Sequence, residues 1–359
     1  MVANPKGSAA PAAPSYAFID ALRGIAALIV VLFHQQIHVF LGFPEKRIPP
    51  GSFTWWVFLG FFDLGKYAVV VFFMVSGFLI PATLRRPGAT IGRFARHRFF
   101  RLYPAYWFAI ALHAGTLAAI GSPSGLDWSW IAVNLTMFQK FLGRQDFIGV
   151  FWTLQIEMTF YVLCAALFRF GILAHRSWAQ WGCIAAALAC AALRWQTGKA
   201  LPVALFLALV VMFAGDVLRA HDEGIASRRE VATALAVAAC TVVPAAWMGY
   251  RDEATRYILT YWAGIATFAL CWRNARAFEG GGFVRRCFSF LGSISYGVYL
   301  LGSTVLLALG GPVFAATGNA WLATVVDVSV TIGLAWICLR CIELPAIRFG
   351  RRSEAKFPT

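Results

Sequence analysis

The sequence predicts an all-α, polytopic membrane protein of about ten transmembrane helices with both termini in the cytoplasm, and three observations predict it. Of its 359 residues, 60% are hydrophobic and only 13% charged, with a mean hydropathy of +0.69. That leaves too little polar surface to coat a soluble globule of this size. The apolar residues gather in runs of roughly 17 to 25, the length that crosses a bilayer as a helix. The net charge of +15 is unevenly spread. With the N-terminus placed in the cytoplasm, most Lys and Arg fall in loops on that same side, among them LRRPGATIGRFARHRFFR, LRAHDEGIASRRE and CWRNARAFEGGGFVRRC. This bias reports membrane topology and argues against a nucleic-acid partner.

In chain order, residues 1–15, MVANPKGSAAPAAPS, are small and proline-rich and read as a disordered tail. The transmembrane domain is expected over 16–345, with spans near 17–41, 65–84, 100–120, 150–170, 178–196, 200–219, 230–249, 256–272, 288–310 and 320–341. A basic cytoplasmic tail over 346–359 follows. The first span is too long for a cleaved signal and carries two ionisable residues. The eight cysteines lie in or beside apolar spans, and only Cys338 and Cys341 form a CxxC. No metal site is expected from that pattern.

The first span, FIDALRGIAALIVVLFHQQIHVF, sets Arg23 and His34 inside an apolar run. Arg at a helix centre costs about 2.5 to 3.5 kcal/mol, so an ionisable residue there is a functional-site hypothesis. Eleven residues is close to three turns, which puts both side chains on one face, roughly 16 Å apart along the axis. Singly, each also fits a blander role, Arg23 as a snorkelling anchor and His34 as an interhelical hydrogen bonder. The second span holds FFMVSGFLI, where Ser76 and Gly77 suit close packing as readily as a substrate contact.

RHRFFRLYPAYW, residues 96–107, opens the third span. Arg98 and Arg101 share a helical face there, near an expected inner helix N-terminus, and two guanidinium forks of that kind can clamp phosphates. Pro104 is expected to break or kink the helix. FWTLQIEMTFY, residues 151–161, begins with Trp152 and carries Glu157, a carboxylate that needs a partner or a proton in an apolar helix. Orienting His34, binding acceptor hydroxyls and tying helices together are all open to it. FLGSISYGVYLLG places Ser295, Tyr296 and Tyr299 on the ninth span. Glu343, in ELP, closes the last one beside the basic tail, where a surface salt bridge is the simplest role.

Taken together, in order, DALRGIAALIVVLFH, FFMVSGFLI, RFFRLYP, WTLQIEMTFY, SISYGVYLL and ELP resemble the acyltransferase 3 family of bacterial inner-membrane O-acyltransferases. These modify lipopolysaccharide O-antigens, exopolysaccharides and lipo-oligosaccharide signals. The resemblance covers nearly the whole chain after the tail. It implies His34 as catalytic base and Arg23, Arg98 and Arg101 as the site of an acyl-CoA cosubstrate, usually acetyl-CoA, with no permanently bound cofactor. Glu157 and Glu343 match positions the family uses, Glu157 as a catalytic candidate. Ser76, Trp152, Tyr296 and Tyr299 are supporting candidates. The acceptor implied is a polysaccharide or lipid-linked oligosaccharide, met within a lipid bilayer. One departure is Gly302, where many members carry a histidine. An extracytoplasmic esterase-like domain carried by some members is not expected here.

The chemistry agrees. A thioester is already activated, so the protein must deprotonate a sugar hydroxyl, stabilise an oxyanion and hold two substrates together. Imidazole suits the first task, with an ordinary pKa of about 6.5. Two rivals stand beside this reading. One is a proton-coupled transporter or flippase of a lipid-linked saccharide, with His34 and Glu157 as relay, and the other is a structural scaffold. Aromatic-rich outer segments, FTWWVFLGFF and LDWSWIAVNLTMF, fit a carbohydrate contact and equally the ordinary interfacial belt.

Overall fold

A computed structural model describes residues 16–41, 61–121 and 126–356. The tail expected over 1–15 and most of the segment FTWWVFLGFF lie outside these residues. Among the described residues there are helices and turns but no strand, as expected of a chain that must satisfy its backbone hydrogen bonds within each span.

The helices run in order α1 Ala17–Leu41, α2 Leu64–Leu84, α3 Ile91–Ala119, the short α4 Trp128–Asn134, α5 Phe151–Arg169, α6 Arg176–Thr197, α7 Val203–Asp222, α8 Arg228–Tyr250 and α9 Ala254–Arg273. Then come α10 Phe283–Val305, a π-helical turn Leu306–Gly310, α11 Gly311–Thr317, α12 Ala320–Cys338, a second π-helical turn Leu339–Glu343, and α13 Leu344–Lys356. All ten expected spans coincide with long helices. Seven segments among the described residues are long and apolar enough to cross a membrane, and one of them, Arg228–Arg273, contains both α8 and α9. α3 and α6 fall outside that set: α3 opens on a basic stretch and α6 interleaves polar residues.

Three features differ from expectation. α3 begins at Ile91, not near residue 100, because Thr90 caps it by accepting from the Arg93 N–H and the basic stretch continues as helix. Arg98 and Arg101 therefore lie about 10 to 15 Å inside the helix and do not draw on its N-terminal N–H groups. Pro104 does not break α3, which runs on to Ala119; Pro81 and Pro244 are likewise inside helices. Such prolines are tolerated in membrane helices because neighbours satisfy the freed backbone groups. The basic segment after residue 343 is the helix α13, which packs along α3 where Gly350 meets the Phe100 ring.

Small residues set the central crossings. A methyl on Gly77 of α2 would collide with the Met212 carbonyl of α7, and one on Gly215 of α7 with the Met74 carbonyl. Backbone meets backbone there, the contact that small residues permit between membrane helices. α1 crosses α10 the same way, with Gly24 against Leu291 and Gly292 against Asp20. Ion pairs hold both ends of α2. Asp63 pairs with Lys66 at 3.0 Å and Arg256 at 2.9 Å, while Arg85 pairs with Asp216 and, at 2.9 Å, with Glu223.

Candidate active site

α2, α3, α5, α10 and α13 surround a cavity of about 470 Å³. Its described lining holds four guanidiniums, Arg23, Arg98, Arg101 and Arg351, and one carboxylate, Glu157. The excess of fixed positive charge in a partly apolar cleft is the electrostatic signature of an anionic ligand.

Glu157 lies on α5 with one oxygen, Oε1, accepting from two hydroxyls: Ser76 of α2 at 3.1 Å and Tyr161 one turn further along its own helix. The FFMVSGFLI motif thus divides its work, Gly77 meeting α7 while Ser76 turns to the cavity. The Arg98 guanidinium lies over the Tyr161 and Phe94 rings, 5.3 and 5.5 Å from their centroids, and its Nε is buried with no hydrogen-bond partner. Arg101 Nη1 donates to Glu343 Oε2 at 3.0 Å, and its guanidinium lies 5.9 Å from the centre of the Tyr296 ring.

Tyr296 in turn donates to the Leu102 carbonyl at 2.9 Å, and Tyr299 to the Val150 carbonyl at 2.9 Å. Arg23, from α1, reaches the same cavity, and the charges of Arg101, Asp20, Glu157 and Glu343 all act on it. Arg98 and Arg101 therefore differ in kind. Arg101 is committed to a buried carboxylate, whereas Arg98 lines the cavity with no ion-pair partner among the described residues.

The structure brings Arg23, Arg98, Arg101, Ser76, Glu157, Tyr296 and Tyr299 together. Glu343 stands behind Arg101, only 1% exposed, so its ion pair is buried and not at the surface. Trp152 lines a different cavity. His34 is not among the described residues lining the first cavity. It sits higher on α1, half-buried, with its ring edge-on to Phe33 at 5.6 Å and within electrostatic reach of the Asp63 carboxylate. Gly302 faces α1: a methyl there would come within 2.6 Å of Val31, so helix packing occupies the position where many family members have a histidine.

Tyr161, His97 and Arg351 are site residues that sequence reasoning missed. Tyr161 was within reach, being four residues after Glu157 on one helix. Arg351 required knowing that the basic segment folds back along α3. Gln35 and Asp327, fully buried with side-chain atoms lacking hydrogen-bond partners, carried no motif at all.

A model of the acyltransferase domain family matches residues 16–340. The chain belongs to the acyltransferase 3 family. It is similar to the acyltransferase MdmB of Streptomyces mycarofaciens, 28% identical over 181 residues, 48% of this chain and 44% of that protein. It is also similar to nodulation protein 10 of Rhizobium leguminosarum bv. viciae, 28% identical over 192 residues, 47% of this chain and 48% of that one. A third relative, protein 2 in the picA locus of Rhizobium radiobacter, is 33% identical over 119 residues, 31% of this chain and 52% of that one. The chain thus spans about half the length of the curated relatives it matches. No solved structure matches it.

Proposed function

We propose that this acyltransferase 3 family protein is an O-acyltransferase of the bacterial inner membrane, moving an acyl group, acetyl by preference, from acyl-CoA to a hydroxyl of a cell-surface or exported saccharide. The observation that carries the reading is the cavity in which four guanidiniums outnumber one carboxylate. Guanidiniums suit the phosphates of an acyl-CoA, and Arg98, with no ion-pair partner among the described residues, lines the cavity beside the other three. Both termini lie in the cytoplasm, so the cavity opens to the compartment that contains the donor.

From the arginines the pantetheine arm runs up among the helices towards His34, on the same face of α1 as Arg23 and about three turns along it. The imidazole takes the proton of the acceptor hydroxyl as its oxygen attacks the thioester carbonyl. A C–O bond forms, the C–S bond breaks, and coenzyme A leaves as a thiolate that is then protonated. Glu157, held by Ser76 and Tyr161, sets a carboxyl group among the arginines of the same cavity.

The test is purified protein with radiolabelled acetyl-CoA and a candidate saccharide. Label appears in the saccharide if the reading holds, whereas vectorial movement of saccharide without label transfer would replace it with the transporter. His34→Ala is expected to lower kcat by about 10²- to 10⁴-fold. Arg98→Ala is expected to raise KM for acetyl-CoA by roughly 10- to 100-fold, the loss of a charge-assisted contact. Full activity in a membrane-inserted His34→Ala protein would remove the base from the mechanism.

A further inference from the structure

A second cavity, of about 390 Å³, lies at the end of the bundle where α2 and α5 begin and where the α6–α7 and α8–α9 connections meet. Three cations, Lys66, Lys140 and Arg194, line it together with the rings of Trp152, Tyr250 and Tyr257. No carboxylate is among its described lining residues.

The cations are held from behind. Asp63, almost fully buried, pairs with Lys66 at 3.0 Å, and Asp146 pairs with Lys140 at 2.9 Å. Arg194 has no ion-pair partner among the described residues; its guanidinium lies 5.3 Å from the centre of the Tyr250 ring. Tyr250 and Tyr257 are stacked at 3.8 Å and 11°, and the Lys66 ammonium lies 4.2 Å from the centre of the Tyr257 ring. Each tyrosine is covered by the other on one face and by Lys66 or Arg194 on the outer face. Trp152 is therefore the ring left to accept the C–H face of a pyranose, and the fixed cations of the cavity select an acidic substituent on that sugar.

The position of this cavity links it to the transfer chemistry. Val69 lines both cavities, and Trp152 lines the second while its chain neighbour Thr153 lines the first. Asp63, which holds Lys66, is also the carboxylate acting on His34. An acceptor seated here therefore meets the donor cavity across Val69 and the first turn of α5.

We infer that the second cavity is the acceptor subsite and that it takes an acidic saccharide, with a sugar ring against Trp152 and its carboxylate or phosphate on Lys140 and Arg194. This rests on the acyltransferase reading and adds the substrate class to it. A bare phosphate or an anionic lipid headgroup presents the same charge without the ring, and the test separates them.

The full chain in nanodiscs of zwitterionic lipid is titrated, without donor, with a hexuronic acid oligosaccharide and with its carboxyl-reduced neutral counterpart. The acidic form is expected to bind at least about tenfold more tightly. Lys140→Gln and Arg194→Gln are expected to abolish that preference, and Arg194→Lys to retain it, which distinguishes lost charge from lost folding. Equal binding of the two oligosaccharides overturns the inference. So does inorganic phosphate, or anionic lipid vesicles, displacing the acidic oligosaccharide at equal concentration. In turnover with acetyl-CoA, equal KM values for acidic and neutral acceptors refute the subsite while leaving the acyltransferase intact. Selective binding with no acyl transfer to any acceptor refutes the acyltransferase, and this assignment falls with it.

Discussion

Arg101 and Arg98, one helical turn apart on α3, divide between structure and ligand. Glu343 has a side chain wholly excluded from solvent and its ion pair with Arg101 is 3.0 Å long. Removing the guanidinium leaves a carboxylate buried and unpaired, which costs about 3 to 5 kcal/mol for a fully buried pair. Because the Arg101 side chain is 27% exposed, the lower end applies. Arg101→Ala is accordingly expected to lower the thermal unfolding midpoint in detergent, with much of the loss recovered in Arg101→Ala/Glu343→Leu, where no lone charge remains. Arg98→Ala leaves no carboxylate stranded, so its effect falls on donor KM and hardly on the midpoint. Equal destabilisation by both alanine variants would erase the division. Sequence made Arg23, Arg98, Arg101 and Glu157 legible, since charge inside an apolar run is conspicuous. Tyr161, one turn from Glu157, was also within its reach, but the sequence did not show that Glu343 binds Arg101, because a hydrogen bond spanning 242 residues of chain leaves no local pattern.

Among the elements, α2 is the most constrained. Ion pairs anchor it at Asp63 and Arg85, and it crosses α7 with carbonyls against Gly77 and Gly215. That crossing also aims Ser76 at Glu157, so packing and site geometry are coupled. Gly77→Ala pushes a methyl into the Met212 carbonyl, and overpacking of this kind costs about 1 to 3 kcal/mol. A drop in the thermal midpoint together with reduced kcat is expected. Gly115→Ala on α3, where nothing lies within 4 Å of the added methyl, is expected to change neither and serves as the control. Helix positions were readable from hydropathy to within a few residues for most spans. The exceptions, the early start of α3 and the helical α13, are basic stretches. Their charge hides a helix that a Thr90 cap and packing between the two elements stabilise.

For the molecule as a whole, two cavities at opposite ends of one bundle, meeting at Val69, suit a reaction whose two substrates arrive from opposite sides of a membrane. The orientation is testable by itself. A cytoplasmically fluorescent reporter fused after Thr359 is expected to fluoresce and a reporter active only outside to stay silent; the reverse pattern would place the arginine cavity away from acyl-CoA. Sequence by itself determined that the chain is helical and membrane-embedded, which family it belongs to, and which charged residues lie within its spans, since hydropathy and motif spacing are local properties of the chain. Only the tertiary structure decided that Arg23, Arg98, Arg101, Ser76 and Glu157 share one cavity, that Trp152 belongs to another, and that Gly302 is filled by Val31. Those outcomes depend on which helix faces meet, and that is set by backbone-close glycine crossings and buried ion pairs between residues far apart in the chain.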